Sequence, residues 1–564
     1  MSDGSGAGGP DTGWAADDRE ASIAVSASGA AQAAVDAHLK ALVADRVASR
    51  IAGRDATLWG EAAEPEASIR LGWVGLADSS RDLVEPITRL RAELAAEGVD
   101  RVVLCGMGGS SLAPEVITKT AGVDLVVLDS THPDQVRSAL TELDRTVIVV
   151  SSKSGSTVET DSQRRVFEAA FTAAGIDAKS RIVVVTDPGS PLEKQATEAG
   201  YRAVFQADPT VGGRFSALTA FGLVPSGLAG VDVADLLDHA GAVADLLADD
   251  SEGNPGLVLG AAIGGTEPLR DKLAFVDLGS GIAGFADWVE QLIAESTGKD
   301  GTGLLPVVLS GPQAPEARQQ ADDVLLVRLV SLSEAAADGE SGHGVRVAGP
   351  LGAQFLLWEY AVAIAGRLLR INPFDQPDVE SAKVAARGLL DAQPEPEQPT
   401  AIDGAVELRA TPGLLDAVAA AGAGVGSAVD ALLAALPPNG YVAVMAYLDR
   451  ERDAALAGVR DALASRAARP VTFGWGPRFL HSTGQFHKGG PAVGVYLQIT
   501  GAVEEDLAVP DRPFTFGELV AAQAAGDAQV LAGHGRPVLR LQLTDAAVRH
   551  LITSLSSPAS EAGP

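Results

Sequence analysis

The chain has 564 residues, enough for about two to four domains, and with 46% hydrophobic and 21% charged residues it excludes wholesale disorder. Its 43 Lys and Arg against 74 Asp and Glu leave a net charge of −31, and with no cluster of five or more basic residues it disfavours a nucleic-acid partner. The single cysteine, Cys105, excludes an intramolecular disulfide framework and any Cys-based metal site supplied by one chain.

Residues 1–20 are rich in Gly, Ser and Asp and carry no apolar core, so they read as a disordered tail and not a signal peptide; 556–564 read as a second tail. No uncharged apolar stretch reaches about 18 residues, and a cytoplasmic protein without membrane contact is expected. Segment 21–54 has helical periodicity. From about residue 100, short apolar runs alternate with small polar residues and helical patterns. The runs are Arg101–Cys105, Leu125–Asp129, Thr146–Val150 and Arg181–Thr186, with Cys105 a buried small side chain in the first. This alternation predicts a parallel sheet covered by helices.

A helical connection at 230–249 leads to a boundary at 250–256, after which strands are predicted at Leu273–Leu278, Val307–Ser310 and Val324–Leu332, and a helix over 352–369. The Pro/Glu/Gln-rich stretch 393–400 reads as a linker. Strands are then predicted at Tyr441–Tyr447, Val471–Gly474 and Val493–Thr500, with a helix at about 450–467. The expected division is a helix and first α/β block over 21–250, a second block over 251–392, and a C-terminal α/β segment over 401–555 completing the second domain.

In open parallel sheets ligands bind beyond the carboxyl ends of strands. The first strand is followed by Gly106-Met107-Gly108-Gly109-Ser110-Ser111, whose glycines let backbone N–H groups approach an anion. A dinucleotide fingerprint is a poor match, because Ser111 stands at its third glycine. The third strand ends in Ser151-Ser152-Lys153-Ser154-Gly155-Ser156-Thr157, a run of hydroxyls with one lysine ahead of a helix, and not a Walker loop. Two such loops suit one terminal phosphate, which points to a phosphosugar.

Gly106–Ser110 and Ser152–Thr160 resemble the phosphate loops of sugar isomerase (SIS) domains. Val211-Gly212-Gly213-Arg214-Phe215-Ser216, Glu295-Ser296-Thr297-Gly298-Lys299 and Asn372-Pro373-Phe374-Asp375-Gln376-Pro377-Asp378-Val379-Glu380-Ser381-Ala382-Lys383 resemble motifs of the glucose-6-phosphate isomerase family, in the family's order. The match spans about 106–383, with Asp378 in place of the usual glycine. The chain is similar to the divergent bacterial type that is elsewhere fused to a transaldolase; no transaldolase barrel is expected here. The resemblance implies two SIS-type three-layer αβα blocks with parallel sheets, plus a C-terminal α/β segment packing on the second. It implies aldose–ketose isomerisation of glucose 6-phosphate and fructose 6-phosphate, no cofactor or metal, and a homodimer.

It further implies Glu295 as the base, Arg214 as stabiliser of the enediolate, and Lys383 at the ring-opening step or the sugar oxygens. Gly109, Ser110, Ser152, Lys153, Ser154, Thr157 and Gln376 would hold the phosphate end. The family's ring-opening histidine is missing between the Glu and Asp-Gln-Pro motifs, where only His343 occurs, in a polar loop. Leu480-His481-Ser482-Thr483-Gly484-Gln485 carries that histidine's usual context far downstream. Two arrangements are open: the C-terminal segment folds back to bring His481 into the site, or His343 or a partner subunit's histidine serves. Rival functions are a dual phosphoglucose/phosphomannose isomerase, a non-catalytic phosphosugar sensor and an NAD-dependent enzyme. The sensor is disfavoured by the persistence of the Glu, Arg and Lys positions.

Overall fold

The computed structural model describes residues 23–335, 342–392, 397–421, 424–544 and 548–556. The tail expected at 1–20, residues 557–564 of the second tail and 393–396 of the linker lie outside the described residues. Among the described residues, no helix is long and apolar enough to cross a membrane.

The segment expected to be helical over 21–54 begins instead with a strand, β1 (Ala24–Ser28). The first sheet comprises β2 (Arg101–Gly106), β3 (Val126–Leu128), β4 (Thr146–Ser151), β5 (Ile182–Thr186) and β6 (Ala203–Gln206), in the order β3-β2-β4-β5-β6. All its pairs are parallel, and β4, Thr-Val-Ile-Val-Val-Ser, is buried along its whole length. Helices on both faces explain that continuous apolar run. The second sheet holds β7 (Lys272–Asp277), β8 (Leu305–Val308), β9 (Val324–Leu329) and β10 (Gly344–Ala348), with β1 added antiparallel at its edge beside β10. One apolar core is shared by these two blocks, running from Val102 and Leu104 to Leu273, Phe275 and the buried helix Leu351–Leu369.

Among the described residues, those after the linker add no strand to the second sheet. They build a third sheet of β11 (Ala401–Asp403), β12 (Val406–Ala410), β13 (Tyr441–Tyr447), β14 (Val471–Trp475), β15 (Gly494–Gly501) and β16 (Val538–Leu543), ordered β11-β12-β16-β15-β13-β14. This sheet packs on the second block as expected: Tyr441, Met445 and Phe486 share a core with Ala274, Leu305 and Val307. It also reaches the first block, where Val509 and Phe516 pack with Val103, Phe167 and Val184. The C-terminal unit therefore touches both blocks, and helix Phe516–Gly533 starts at that junction behind a capping box of Thr515 and Glu518.

Candidate active site

The two Ser- and Gly-rich loops leave neighbouring strands. β2 pairs with β4 in a register that sets Gly106 opposite Ser151. β3 lies on the other side of β2, so the chain reverses between β2 and β4, and the gap there is the sheet's ligand-binding switch point. Gly108 has φ +56°, and a Cβ on it would come within 2.9 Å of the His481 carbonyl. A Cβ on Gly109 would collide with the Gly213 carbonyl, so the loops carrying Ser110 and Arg214 touch backbone to backbone. In the second loop Ser152 Oγ lies 3.0 Å from Thr157 Oγ1 and accepts the Gly155 N–H at 3.2 Å, while Ser154 bonds Ser156. The hydroxyls thus gather at the start of helix Val158–Ala173. Lys153 pairs with Asp187 at 2.6 Å, so its ammonium stands at the loop's edge beside a carboxylate.

Arg214 is 3% exposed and fully engaged. It donates to Ser296 Oγ at 2.7 Å, Gln376 Oε1 at 2.9 Å and the Pro373 carbonyl at 2.7 Å. Its Nη1 lies 3.6 Å from Glu295 Oε2. Gln376, expected at the phosphate, is exposed and bonded to this guanidinium. Glu295 is 4% exposed in the last turn of helix Phe285–Thr297, and Gln291 Nε2 donates to it at 3.4 Å. Burial pushes its carboxyl above the ordinary range, opposed by Arg214, Gln291, His481 and Lys383. Lys383 lies on the exposed face of helix Val379–Ala392, close enough for its charge to be felt by Glu295 and Glu159.

His481 enters the same site. Its Nε2 is 3.1 Å from Glu159 Oε1, and Glu159 itself is only 5% exposed. Burial would raise Glu159, but the hydrogen bond and charge of His481 outweigh it and hold the carboxyl below its usual range. His343, by contrast, accepts the Ala30 N–H through Nδ1 at 2.9 Å, capping a helix beside β10. Of these two candidate histidines, the fold brings only His481 to Glu159 and Glu295.

Sequence reasoning missed several supporting groups. Glu159 lies inside the phosphate-loop motif, where it is assigned no role. Gln523, on helix Phe516–Gly533, donates to Glu159 at 2.7 Å. Lys299 binds Asp375 at 2.6 Å and the carbonyl of Asn372, joining the end of the Glu295 helix to the Asp-Gln-Pro loop. Asp378, the departure from the family pattern, forms a two-point clamp with Gln485: its N–H donates to Oε1 at 3.0 Å and its carboxylate accepts Nε2 at 2.7 Å. The substituted position thereby holds the histidine loop. Beside that loop Ser482 donates to Glu290 at 2.8 Å, and burial with the neighbouring Asp287 pushes Glu290 up to about 8.

The phosphoglucose isomerase family model matches residues 77–299. A glucose-6-phosphate isomerase of Synechococcus sp. (strain JA-3-3Ab) is 29% identical over 432 residues, covering 63% of this chain and 79% of that protein. A probable glucose-6-phosphate isomerase of Natronomonas pharaonis is 33% identical over 346 residues, covering 52% of this chain and 81% of its own. Among solved structures, a hypothetical protein of Thermus thermophilus aligns with a TM-score of 0.53 at 26% identity, over 64% of this chain and 97% of that one. A glucose-6-phosphate isomerase of Chlamydia trachomatis shares the fold, with a TM-score of 0.53 at 19% identity, over 68% and 90% of the two chains. The motifs, the site they build and these relatives agree: the chain belongs to the glucose-6-phosphate isomerase family.

Proposed function

We propose that this site interconverts glucose 6-phosphate and fructose 6-phosphate through a cis-enediolate. The observation that carries the reading is the placement of a buried carboxylate, Glu295, 3.6 Å from the Arg214 guanidinium and within electrostatic reach of His481. The phosphate rests on Gly109, Ser110, Ser152, Ser154 and Thr157 at two helix starts, with Lys153 at the rim, and that binding holds the sugar for reaction.

His481 and Lys383 open the ring, one proton going to O5 as another leaves O1. With Nε2 turned to Glu159, the imidazole keeps Nδ1 for the sugar. Glu295 then removes the proton from C2 of the open-chain aldose and returns it to C1; the reverse reaction takes it from C1. Its raised pKa suits a base that must also give the proton back. Arg214 faces the charge that develops on the enediolate oxygens, and Gln376 orients the guanidinium. The reading carries with it a homodimer and a cytoplasmic setting.

Fructose 6-phosphate turnover, with glucose 6-phosphate read through an NADP-dependent dehydrogenase, tests it. Wild-type protein is expected to turn over, and folded Glu295→Gln to lose about 100-fold or more. No turnover by wild type refutes the reaction; near-normal turnover by the variant moves the base elsewhere, with Glu290 the next carboxylate on that helix.

A further inference from the structure

We propose that Gln523 is a positioning residue for His481, acting through Glu159, so that a helix of the C-terminal unit sets the orientation of the ring-opening group. The inference rests on the role of His481 proposed above. Gln523 is 4% exposed, and both ends of its amide are used. Nε2 donates to Glu159 Oε1 at 2.7 Å, and Oε1 accepts the Thr131 hydroxyl at 2.6 Å. The assignment of the amide follows from chemistry, because an ionised carboxylate only accepts. Thr131 is fully buried just beyond β3, on the first block. The chain of contacts is therefore Thr131, Gln523, Glu159, His481, crossing from the first block to the third sheet's helix and back to the catalytic loop.

The geometry gives Gln523 two effects. Glu159 Oε1 receives both the Gln523 amide and the imidazole, so the amide fixes where that oxygen sits when the imidazole meets it. It also takes part of the oxygen's accepting capacity, which weakens the pull of the carboxylate on the imidazole proton. Removing the amide leaves Glu159 buried with one donor fewer and makes the histidine–carboxylate pair more basic. The charged groups facing His481 are Glu159 and Glu295, with Lys383 acting on both carboxylates.

The test compares wild type, Gln523→Leu and Thr131→Val, each alone and with Glu159→Gln, in the full chain. Two readouts are taken: NMR titration of the His481 ring in histidine-labelled protein, assigned with His481→Gln, and steady-state kinetics with fructose 6-phosphate. Gln523→Leu is expected to lower kcat about 10-fold with KM within about 2-fold, and to move the His481 midpoint toward higher pH. Thr131→Val, which leaves the Glu159 contact intact, should move both in the same direction by less, about 3-fold in kcat, and it carries the test should Gln523→Leu not fold. Neither substitution should matter further once Glu159 is Gln. An unmoved His481 midpoint, or a full loss persisting in the Glu159→Gln background, overturns the proposal. A shifted midpoint in a protein that never turns over fructose 6-phosphate sinks the isomerase reading and leaves the positioning role standing.

Discussion

His481 and Glu159 meet at 3.1 Å although 322 residues separate them along the chain. Arg214 and Glu295 complete the same site, so one chain supplies the proposed base, its guanidinium partner and the proposed ring-opening imidazole.

Co-expressing His481→Ala with Glu295→Gln is therefore expected to restore no activity beyond that of either variant. Were the histidine supplied across a dimer interface, random pairing would return about a quarter of wild-type activity, because half the dimers would carry one intact site. Turnover of the co-expressed protein, after both tags confirm mixed dimers or show that none form, decides between the two.

Arg478 joins the histidine loop to the first block. It bonds Glu115 at 2.5 Å and Asp129 at 2.8 Å, and Asp129 is buried. Burial alone would raise Glu115, but Arg478, Arg450 and Lys119 outweigh it and hold the carboxyl far below its ordinary range. Arg478→Met should cost about 3–5 kcal/mol, since it leaves buried Asp129 with Arg450 at 3.4 Å and Glu115 with Lys119 at 2.9 Å and Arg450 at 3.5 Å. A lowered thermal midpoint, partly recovered by adding Glu115→Gln, is the expected result; a midpoint unchanged by Arg478→Met would show the cluster to be slack. Because Glu115 is depressed in the folded state, the cluster's contribution should be present above the ordinary carboxylate range and fade as the pH falls through and below it.

Glu290 behaves in the opposite sense. Its carboxyl is raised from 4.5 to about 8, so the folded chain keeps a proton that the unfolded chain releases. Stability from this group is complete below pH 4.5 and declines as the pH climbs toward about 8, by at most about 1.4 kcal/mol per unit. Glu290→Gln, which cannot ionise, should flatten that decline. Urea midpoints at about pH 5 and about pH 8 read the difference across most of that window, and an equal decline in the two proteins would show that Glu290 ionises freely.

How much of this is legible in the sequence depends on what each residue answers to. The strands β2, β4 and β5 are buried apolar runs, and burial on both faces writes itself into composition. β12 and β16 escape notice because Arg409 and Arg540, paired across the ladder, break the apolar pattern of Val406–Ala410 and Val538–Leu543. Short β6, at a sheet edge, and β10, with Arg346 at its centre, carry equally weak signals. The phosphate loops are visible because backbone approach demands glycine and small hydroxyl residues in sequence. Glu159 draws no attention, since an acid in a helix's first turn has an ordinary dipole explanation. Gln523 sits in an Ala-rich helix, and nothing local marks it. Asp378 reads as a deviation; its partner Gln485 stands 107 residues away, and only the fold joins them.

The third sheet's contact with both blocks has a consequence for synthesis on the ribosome. The loops proposed to grip the phosphate, and the proposed base, are complete by residue 299, but His481 and the Gln523 bonded to its partner Glu159 emerge much later. On the proposed roles, a chain interrupted between those points would carry the phosphate loops and the base without the imidazole that opens the ring. On these roles, turnover of the cyclic sugar would appear only after translation has passed the helix at 516–533, so catalytic onset would report synthesis through that helix.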